Sequence, residues 1–122
     1  MIRVFVIDDT SEMRTMLEQI LTLDEFAVVG LAANGAEALP LMAEANPDVV
    51  VIDYKMPGLD GLTTARLVLE ERPRQAIILY TAYLDADLER KAAKAGVALC
   101  VEKAAGILTL ERDIRRLAEQ GS

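Results

Sequence analysis

The sequence predicts an α/β fold in which a doubly wound, five-stranded parallel sheet carries helices on both faces. Two patterns predict this class. Short apolar, β-branched runs alternate with segments of helical periodicity along the chain. The runs are apolar throughout, which is typical of strands buried on both faces of a parallel sheet. The chain has 122 residues, 52% of them apolar, and is expected to form one domain over residues 1–122.

Five short runs rich in valine, isoleucine and leucine predict the strands. They are residues 2–7, 27–31, 49–52, 76–80 and 97–101. Because a helical segment separates each run from the next, the strands are expected to be parallel and the crossovers right-handed. The strand order expected for such a sheet is 2-1-3-4-5.

Five amphipathic segments predict the helices, one after each strand. The first has apolar residues at helical spacing from Met13 to Leu21, and the fourth covers residues 85–95. Pro40 predicts a kink or a late start in the second helix, because an interior proline costs about 3 kcal/mol. Leu62 and Leu69 mark the third. Asp9 or Ser11 is the predicted N-cap of the first helix, and Gly96 is the predicted end of the fourth. The fifth helix is predicted to have Thr109 as its N-cap and to carry the apolar residues Leu110, Ile114 and Leu117.

Composition excludes several classes of function. Thirteen basic residues stand against 20 acidic ones, for a net charge of −7, so bulk electrostatics do not favour nucleic-acid binding. The longest apolar run is too short for a membrane span, and two acids by position 9 are unlike a signal peptide, so we expect a cytoplasmic protein. One cysteine and no histidine exclude an internal disulfide, histidine catalysis and histidine metal ligands.

Polar residues collect where the predicted strands end. Asp8 and Asp9 follow the first strand, Asp53 the third, Thr81 the fourth and Lys103 the fifth. In a doubly wound sheet, ligands bind outside the carboxyl ends of the strands, where the strand order reverses. Each residue alone has an ordinary alternative as a turn residue, a helix cap or a surface lysine. The coincidence of all five at one sheet edge indicates a site.

Three carboxylates in one cleft need positive charge nearby. Two unit charges about 4 Å apart repel by about 4 kcal/mol at an effective dielectric near 20, and one lysine does not balance three acids. Oxygen ligands suit a hard cation, Mg²⁺ first and Mn²⁺ or Ca²⁺ next. A carboxylate beside such a cation is a nucleophile toward a phosphoryl group, with Lys103 and Thr81 as further contacts to its oxygens. The crowding also predicts that Asp8→Asn stabilises the metal-free protein and weakens Mg²⁺ binding.

At these positions the sequence resembles the receiver domain of two-component response regulators, over about residues 2–119. Four motifs carry the resemblance: Val6-Ile7-Asp8-Asp9, the stretch VVIDYKMPGLDG at residues 50–61, Tyr80-Thr81-Ala82, and Lys103. Residues 28–39 resemble the subgroup that often carries a helix-turn-helix output domain. The resemblance implies a flavodoxin-like fold that accepts a phosphoryl group from a sensor histidine kinase or a phosphotransfer protein.

The resemblance also implies roles for individual residues. Asp53 matches the phosphoacceptor, and Thr81 and Lys103 match the hydroxyl and the amine that sense the phosphate. The implied Mg²⁺ ligands are Asp9 directly, Asp8 largely through water, Asp53, and the backbone carbonyl of Lys55, with Mn²⁺ as an alternative ion, and the backbone of Ala82 is the implied phosphate contact. Such a domain is not a conventional enzyme, but it catalyses its own phosphorylation and slow autodephosphorylation.

The sequence departs from the family pattern in the residues that transmit the signal. Cys100 stands where the family has a switch aromatic, three residues before the lysine. Ala104 replaces the usual proline, which predicts a trans bond or a strained loop, because a cis bond before alanine costs about 3 kcal/mol more than before proline. Tyr83 is a candidate for an aromatic contact from the other side of the cleft. Lys55, at the rim, is a candidate for setting the lifetime of the phosphate.

Other functions remain open at this stage. A receiver-shaped module that binds partners without phosphate, through helix four, strand five and helix five, is the main alternative. The same face often pairs two copies in this family, so a homodimer is a further expectation. A haloacid-dehalogenase-like phosphatase is disfavoured because Asp8 and Asp9 are adjacent and no cap segment is present. A flavodoxin is disfavoured because two carboxylates repel the phosphate of its cofactor.

Overall fold

A five-stranded parallel sheet forms the centre of the computed structural model, which describes residues 1–121. The strands are β1 (Arg3–Ile7), β2 (Ala27–Ala32), β3 (Val49–Ile52), β4 (Ala76–Thr81) and β5 (Leu99–Glu102). They lie in the order β2-β1-β3-β4-β5, and every neighbouring pair is parallel. The predicted fold class and strand order are confirmed.

Five helical segments connect the strands. They are α1 (Ser11–Leu23), α2 (residues 35–45), α3 (Gly61–Glu71), α4 (Ala86–Ala95) and α5 (Ile107–Gln120), and a 3-10 turn at Lys103–Ala105 joins β5 to α5. The expected disturbance of α2 is confirmed. Its first turn, Gly35–Ala38, and its last, Met42–Ala45, are α-helical, but Leu39–Leu41 around Pro40 is a 3-10 turn.

Several helix ends follow their sequence signals. Asn34, Asp60 and Asp85 each accept a hydrogen bond from a backbone N–H in the first turn of the helix that follows. Gly96 ends α4 with φ 94°, a left-handed conformation that glycine adopts without a steric penalty. The three N-caps fix where the loops after β2, β3 and β4 end, and Gly96 fixes where the loop before β5 begins.

Two predicted caps are wrong. Thr10, rather than Asp9 or Ser11, precedes α1, and its side chain makes no capping bond. The last helix begins at Ile107 after Gly106, whose φ is 91°, so Thr109 lies inside the helix. Its hydroxyl donates to the carbonyl of Ala105, 3.1 Å away, a bond to a preceding carbonyl that helical serine and threonine commonly make.

The fifth strand begins two residues later than predicted. The amide of Val97 donates to the carbonyl of Ala92 at the end of α4, 3.0 Å away, so Val97 still belongs to the helix terminus. The strand then extends to Glu102. The apolar run at residues 97–101 therefore spans both a turn and a strand, and within it Val97 and Val101 are buried.

Side chains from the two sheet faces form two cores, because successive strand residues point to opposite faces. One core packs under α2, α3 and α4 and includes Phe5, Ile52 and Leu79. The other packs under α1 and α5 and includes Val51 and Ile114. The same alternation continues into the polar residues just beyond the strand ends. It determines on which face of the sheet each of them lies.

Within residues 1–121, no helix has the length and apolar character needed to span a bilayer.

Candidate functional site

Asp8 and Asp53 stand side by side at the point where the strand order reverses. They directly follow β1 and β3, and the sheet ladder continues past both strand ends. The Asp53 amide donates to the Ile7 carbonyl at 2.9 Å, and the Asp8 amide donates to the Ala32 carbonyl at 3.0 Å. Backbone pairing therefore fixes the spacing of the two carboxyl groups before any side chain interacts.

Lys103 bridges these two acids. Its Nζ lies 3.2 Å from Oδ2 of Asp8 and 3.4 Å from Oδ1 of Asp53. The side chains of Asp8 and Asp53 are 3% and 10% exposed, so this ion-pair cluster is largely shielded from solvent. Three residues predicted to meet at the site are therefore in contact.

Asp9 completes an acidic cluster at the same place. One carboxylate oxygen from each of Asp8, Asp9 and Asp53 lies within 4.8 Å of the other two. Asp9 is exposed, whereas the other two are buried. Oxygen donors on one open side match the preference of Mg²⁺, which keeps several waters and takes few protein carboxylates. The residues present therefore fit a hard divalent cation.

The charges within the cleft perturb each other. Burial raises the pKa of Asp53 from its ordinary 3.8 to about 6, the nearby charge of Asp8 adds to this, and Lys103 opposes it. Burial acts to lower the pKa of Lys103, but the charges of Asp8 and Asp53 outweigh it and the net pKa is raised. At neutral pH, the site therefore holds an ionised but poorly stabilised Asp53 beside a firmly protonated amine.

Thr81 lies at the same sheet edge but on the opposite face from Lys103. Its side chain is buried, and its hydroxyl donates to the Tyr83 carbonyl at 3.2 Å and accepts from the Tyr83 amide at 3.4 Å. The loop that follows β4 thus holds the hydroxyl. Ala82, the next residue, is exposed.

Tyr83 does not supply the aromatic contact expected of it. Its side chain is 82% exposed, and the loop turns it toward solvent while its backbone engages Thr81. An aromatic ring in water gains no burial energy, so nothing holds this ring against the cleft. The expectation that Tyr83 packs on the site is wrong for this conformation.

The loop after Asp53 is held by a close backbone approach. A Cβ atom on Gly61 would lie 2.3 Å from the Asp53 carbonyl oxygen, so only glycine fits there. The Gly61 amide donates to the Tyr54 carbonyl at 2.8 Å. Lys55 projects from this loop with an exposed side chain, two residues from Asp53, so it lies at the rim as expected.

Cys100 lies on the sheet face opposite to Lys103, packed against the core under α3 and α4. Burial raises the pKa of its thiol, and the charge of Glu89 adds to this. The thiol therefore stays protonated at neutral pH, which is the unreactive form. A groove of about 280 Å³ between α4 and β5 is lined by Ala92, Val97 and Cys100, among others. The Cys100 side chain thus borders open space on this face of the sheet.

The bond between Lys103 and Ala104 is trans, in keeping with the expectation drawn from the missing proline, and residues 1–121 contain no cis peptide bond. The chain instead turns through the 3-10 segment Lys103–Ala105.

Two neighbours of the site escaped the sequence reasoning. Arg14, in the first turns of α1, donates from its guanidinium to the Asp8 carbonyl at 2.7 Å. Tyr80 places its ring centroid 5.8 Å from the Lys103 ammonium. An arginine one turn after an acidic pair is a weak sequence signal. The position of Tyr80 in an apolar run indicates only a core residue. Its contact with Lys103 becomes apparent only once the strand register is known.

Comparison with known proteins identifies a family that this chain matches over most of its length. A family model of the response regulator receiver domain matches residues 4–115. The signal receiver domain of the response regulator NarL from Mycobacterium tuberculosis superposes with a TM-score of 0.88 and 30% identity, over 97% of this chain and 96% of that one.

Curated relatives show the same match in longer proteins. Response regulator GacA from Pseudomonas viridiflava is 36% identical over 94% of this chain and 54% of its own length. A protein-glutamate methylesterase/protein-glutamine glutaminase from Syntrophus aciditrophicus is 35% identical over 94% of this chain and 33% of its own length. The chain thus spans between a third and about half of these relatives.

Proposed function

The chain belongs to the response regulator receiver domain family of two-component systems, and we propose that it accepts a phosphoryl group on Asp53. The observation that carries this proposal is the contact of Lys103 with both Asp53 and Asp8 in a buried cluster. A nucleophilic carboxylate needs positive charge close to the oxygens of the incoming phosphoryl group, and the Lys103 ammonium, 3.4 Å from an Asp53 oxygen, would supply it.

The transfer follows from the chemistry of the groups present. One carboxylate oxygen of Asp53 attacks the phosphorus atom of a phosphohistidine on a partner, the new O–P bond forms, and the P–N bond to the partner's imidazole breaks. The leaving nitrogen keeps the bonding electron pair. The chain has no histidine of its own, so the donor histidine belongs to the partner. With a pKa of about 6, Asp53 is mostly ionised at pH 7.5 and able to attack.

We propose Mg²⁺, or Mn²⁺ in its place, as the cofactor. Asp8, Asp9 and Asp53 would hold it through carboxylate oxygens, with the backbone carbonyl of Lys55 as a further ligand. Bound there, a divalent cation neutralises charge that develops on the phosphoryl oxygens. Support comes from the three carboxylates within 4.8 Å of one another. It also comes from the pKa of Asp53, which burial and then the charge of Asp8 raise to about 6, because a nearby cation would stabilise the ionised form.

The remaining residues are assigned to the phosphorylated state. The Thr81 hydroxyl would exchange its bonds to the Tyr83 backbone for a bond to a phosphoryl oxygen, and the amide of Ala82 would donate to another. Lys55 would limit the approach of water and so set the lifetime of the aspartyl phosphate.

We propose a sensor histidine kinase or a phosphotransfer protein as the phosphoryl donor, in the cytoplasm, where a free cysteine such as Cys100 is usual. Direct nucleic-acid binding by this domain is disfavoured by its net charge of −7. A DNA-binding or catalytic function would instead come from other parts of a longer protein, in line with the greater length of the relatives.

A second candidate function is binding of a partner without phosphorylation. The observation in its favour is the open groove at Cys100 between α4 and β5, where an aromatic switch is missing. The face formed by α4, β5 and α5 would then carry the contact, either with another protein or with a second copy of the chain.

Intact-mass measurement after incubation with acetyl phosphate and Mg²⁺ tests the first function. We expect a gain of one phosphoryl group in the wild type, and none in Asp53→Ala. Asp60→Asn is the matched control, because it neutralises an acid in the same loop while keeping an oxygen for the helix cap, and it should be phosphorylated normally. No gain in the wild type with either Mg²⁺ or Mn²⁺ would refute phosphoryl acceptance and favour the second function.

A further inference from the structure

Lys103 reaches the two aspartates across β4. Asp8 and Asp53 follow the adjacent strands β1 and β3, but Lys103 follows β5, and β4 lies between β3 and β5. The lysine ammonium nevertheless lies within 3.4 Å of both carboxylates. Its side chain therefore crosses the end of β4, and the residue that β4 presents on that face lies beneath it.

That residue is Tyr80. Ile52 of β3 pairs with Leu79 of β4, so the next residues, Asp53 and Tyr80, are neighbours. Residues paired in this way share a face of the sheet. On the other side, Tyr80 pairs with Val101, two residues before Lys103, so Tyr80 and Lys103 also share that face. The row Asp8, Asp53, Tyr80 and Lys103 therefore lies along one sheet face.

The contact between the ring and the ammonium is close enough to be attractive. Nζ of Lys103 lies 5.8 Å from the Tyr80 ring centroid, within the distance of about 6 Å over which the face of an aromatic ring attracts a cation. Tyr80 is 4% exposed and packs in the core under α1 and α5. The ring is thus fixed by packing, and the lysine rests against a rigid surface.

The contact between Lys103 and Tyr80, unlike the two ion pairs of Lys103, does not have to change when the site is used. Asp53 is the group that would form the bond to phosphorus, and the oxygens of Asp8 and Asp53 are also those available to a cation. Both ion pairs must therefore change when the site is used. The ring of Tyr80 takes part in neither change and remains available to the ammonium throughout.

We propose that Tyr80 is a positioning residue whose ring holds the Lys103 ammonium at the place where it meets the incoming phosphoryl oxygens. This proposal rests on the proposed function of Asp53. Without the ring, the flexible lysine side chain has more freedom to leave the cleft once its carboxylate partners are engaged. Phosphoryl transfer to Asp53 should then slow, even though no group that touches the phosphoryl group has been changed.

A double-mutant cycle between Tyr80→Leu and Lys103→Met tests the contact in the metal-free protein. Thermal unfolding is measured in EDTA for the wild type, both single variants and the double variant. Tyr80→Leu removes the ring in both backgrounds and leaves a similar cavity in each, so the cavity cost cancels. We expect Tyr80→Leu to lower the melting temperature more in the wild type than in the Lys103→Met background.

Phosphorylation by acetyl phosphate provides the second readout. The initial rate is measured by intact mass with saturating Mg²⁺, and Tyr80→Leu is expected to lower it by about three- to tenfold, the range that loss of a partly buried cation–π contact predicts. Tyr80→Phe keeps the ring and is expected to restore most of the rate. In the Lys103→Met background, Tyr80→Leu should cause no further loss.

Ile78→Val is the matched packing control. Ile78 lies on β4, on the same face as Tyr80 and in the same core, but away from the lysine. It should lower the melting temperature equally in both backgrounds and leave the rate unchanged, which separates core packing from the lysine contact.

Equal losses of melting temperature from Tyr80→Leu in the two backgrounds would overturn the proposed contact. A wild-type phosphorylation rate in Tyr80→Leu would overturn its positioning role. Failure of the proposed function looks different, because the wild type itself would then gain no phosphoryl group, while the metal-free cycle would still report on the contact between Tyr80 and Lys103.

Discussion

Removing the charge of Asp53 should stabilise the metal-free domain at neutral pH. The carboxyl group is buried beside Asp8, and its pKa is raised from 3.8 to about 6. A raised acid pKa means that the folded state holds the proton more tightly than the unfolded state. The contribution of Asp53 to the free energy of unfolding is therefore fully present below pH 3.8, where the carboxyl group is protonated. It is lost as the pH rises through 6 and the group ionises.

The magnitude follows from the size of the pKa change. A rise from 3.8 to about 6 corresponds to about 3 kcal/mol, at about 1.4 kcal/mol per unit of pKa. The side chain is 10% exposed, so solvent screening reduces this figure little. The favourable contact with Lys103 is already included, because it opposes the rise. Asp53→Asn should recover a large part of this free energy at pH 8.

The assay is urea unfolding in EDTA, at several pH values between 4 and 8. We expect Asp53→Asn to exceed the wild type by about 2–3 kcal/mol at pH 8, with the difference shrinking toward pH 4. Asp60→Asn is the control, since it removes an acid of the same loop outside the cluster, and its difference from the wild type should not depend on pH in this way.

Two results would refute this reasoning. The first is equal stability of Asp53→Asn and the wild type at pH 8 in EDTA. The second is a difference between them that does not grow as the pH rises from 4 to 7. Either would mean that burial and the charge of Asp8 do not act on Asp53 as the geometry indicates.

The geometry also revises the expectation for Asp8. Crowding alone suggests that Asp8→Asn stabilises the metal-free protein, but one Asp8 oxygen accepts from the Thr10 amide at 2.9 Å and the other from Lys103 at 3.2 Å. An asparagine amide in the second position would set a donor against the lysine. We therefore expect Asp8→Asn to be no more stable than the wild type, in contrast to Asp53→Asn.

Three further predictions concern other parts of the chain. Glu111 is 1% exposed and leaves Oε2 without a hydrogen-bond partner; burial and Asp24 raise its pKa from 4.5 to about 7. Glu111→Gln should therefore be more stable than the wild type by up to about 3 kcal/mol at pH 8, and urea unfolding at pH 5 should show little difference. Gly61→Ala should cost about 1–3 kcal/mol and slow phosphorylation, because its Cβ would displace the Asp53 backbone; an unchanged melting temperature would contradict this. Lys55→Ala should shorten the lifetime of the aspartyl phosphate, measured by the decay of the phosphorylated mass, and an unchanged decay would leave Lys55 without that role.

The sequence predicted the strands and the site residues that follow them, because both depend on short-range patterns. Asp8 and Asp53 directly follow apolar runs, and Lys103 follows one after Glu102. The edge at which parallel strands end is common to all three. Thr109 was misjudged because a threonine is equally suited to a cap and to bonding a preceding carbonyl, and only Gly106 decides between them. The exposure of Tyr83 depends on the path of a loop, for which the chain has no periodic signal.

The role of Tyr80 shows what kind of information is missing from a single sequence. Its position in an apolar run marks it as a core residue, and it is one. Its second contact arises because β5 lies beyond β4, so that Lys103 must pass over whichever residue occupies this position. That relation depends on strand order and register together. The order follows from the predicted fold class, but the spacing of residues along the chain does not determine the register.

The instability of the metal-free site and its proposed activity have the same origin. Backbone pairing forces Asp53 next to Asp8, which raises the free energy of the ionised cluster, because within residues 1–121 both carboxylates share Lys103 as their ion-pair partner. Any ligand that brings positive charge to the folded site, and not to the unfolded chain, recovers this energy and binds more tightly for that reason. Asp53→Asn should therefore be more stable than the wild type in EDTA. Mg²⁺ should stabilise the wild type further but should stabilise Asp53→Asn much less. One substitution thus tests both the excess negative charge of the metal-free site and its neutralisation by the cation.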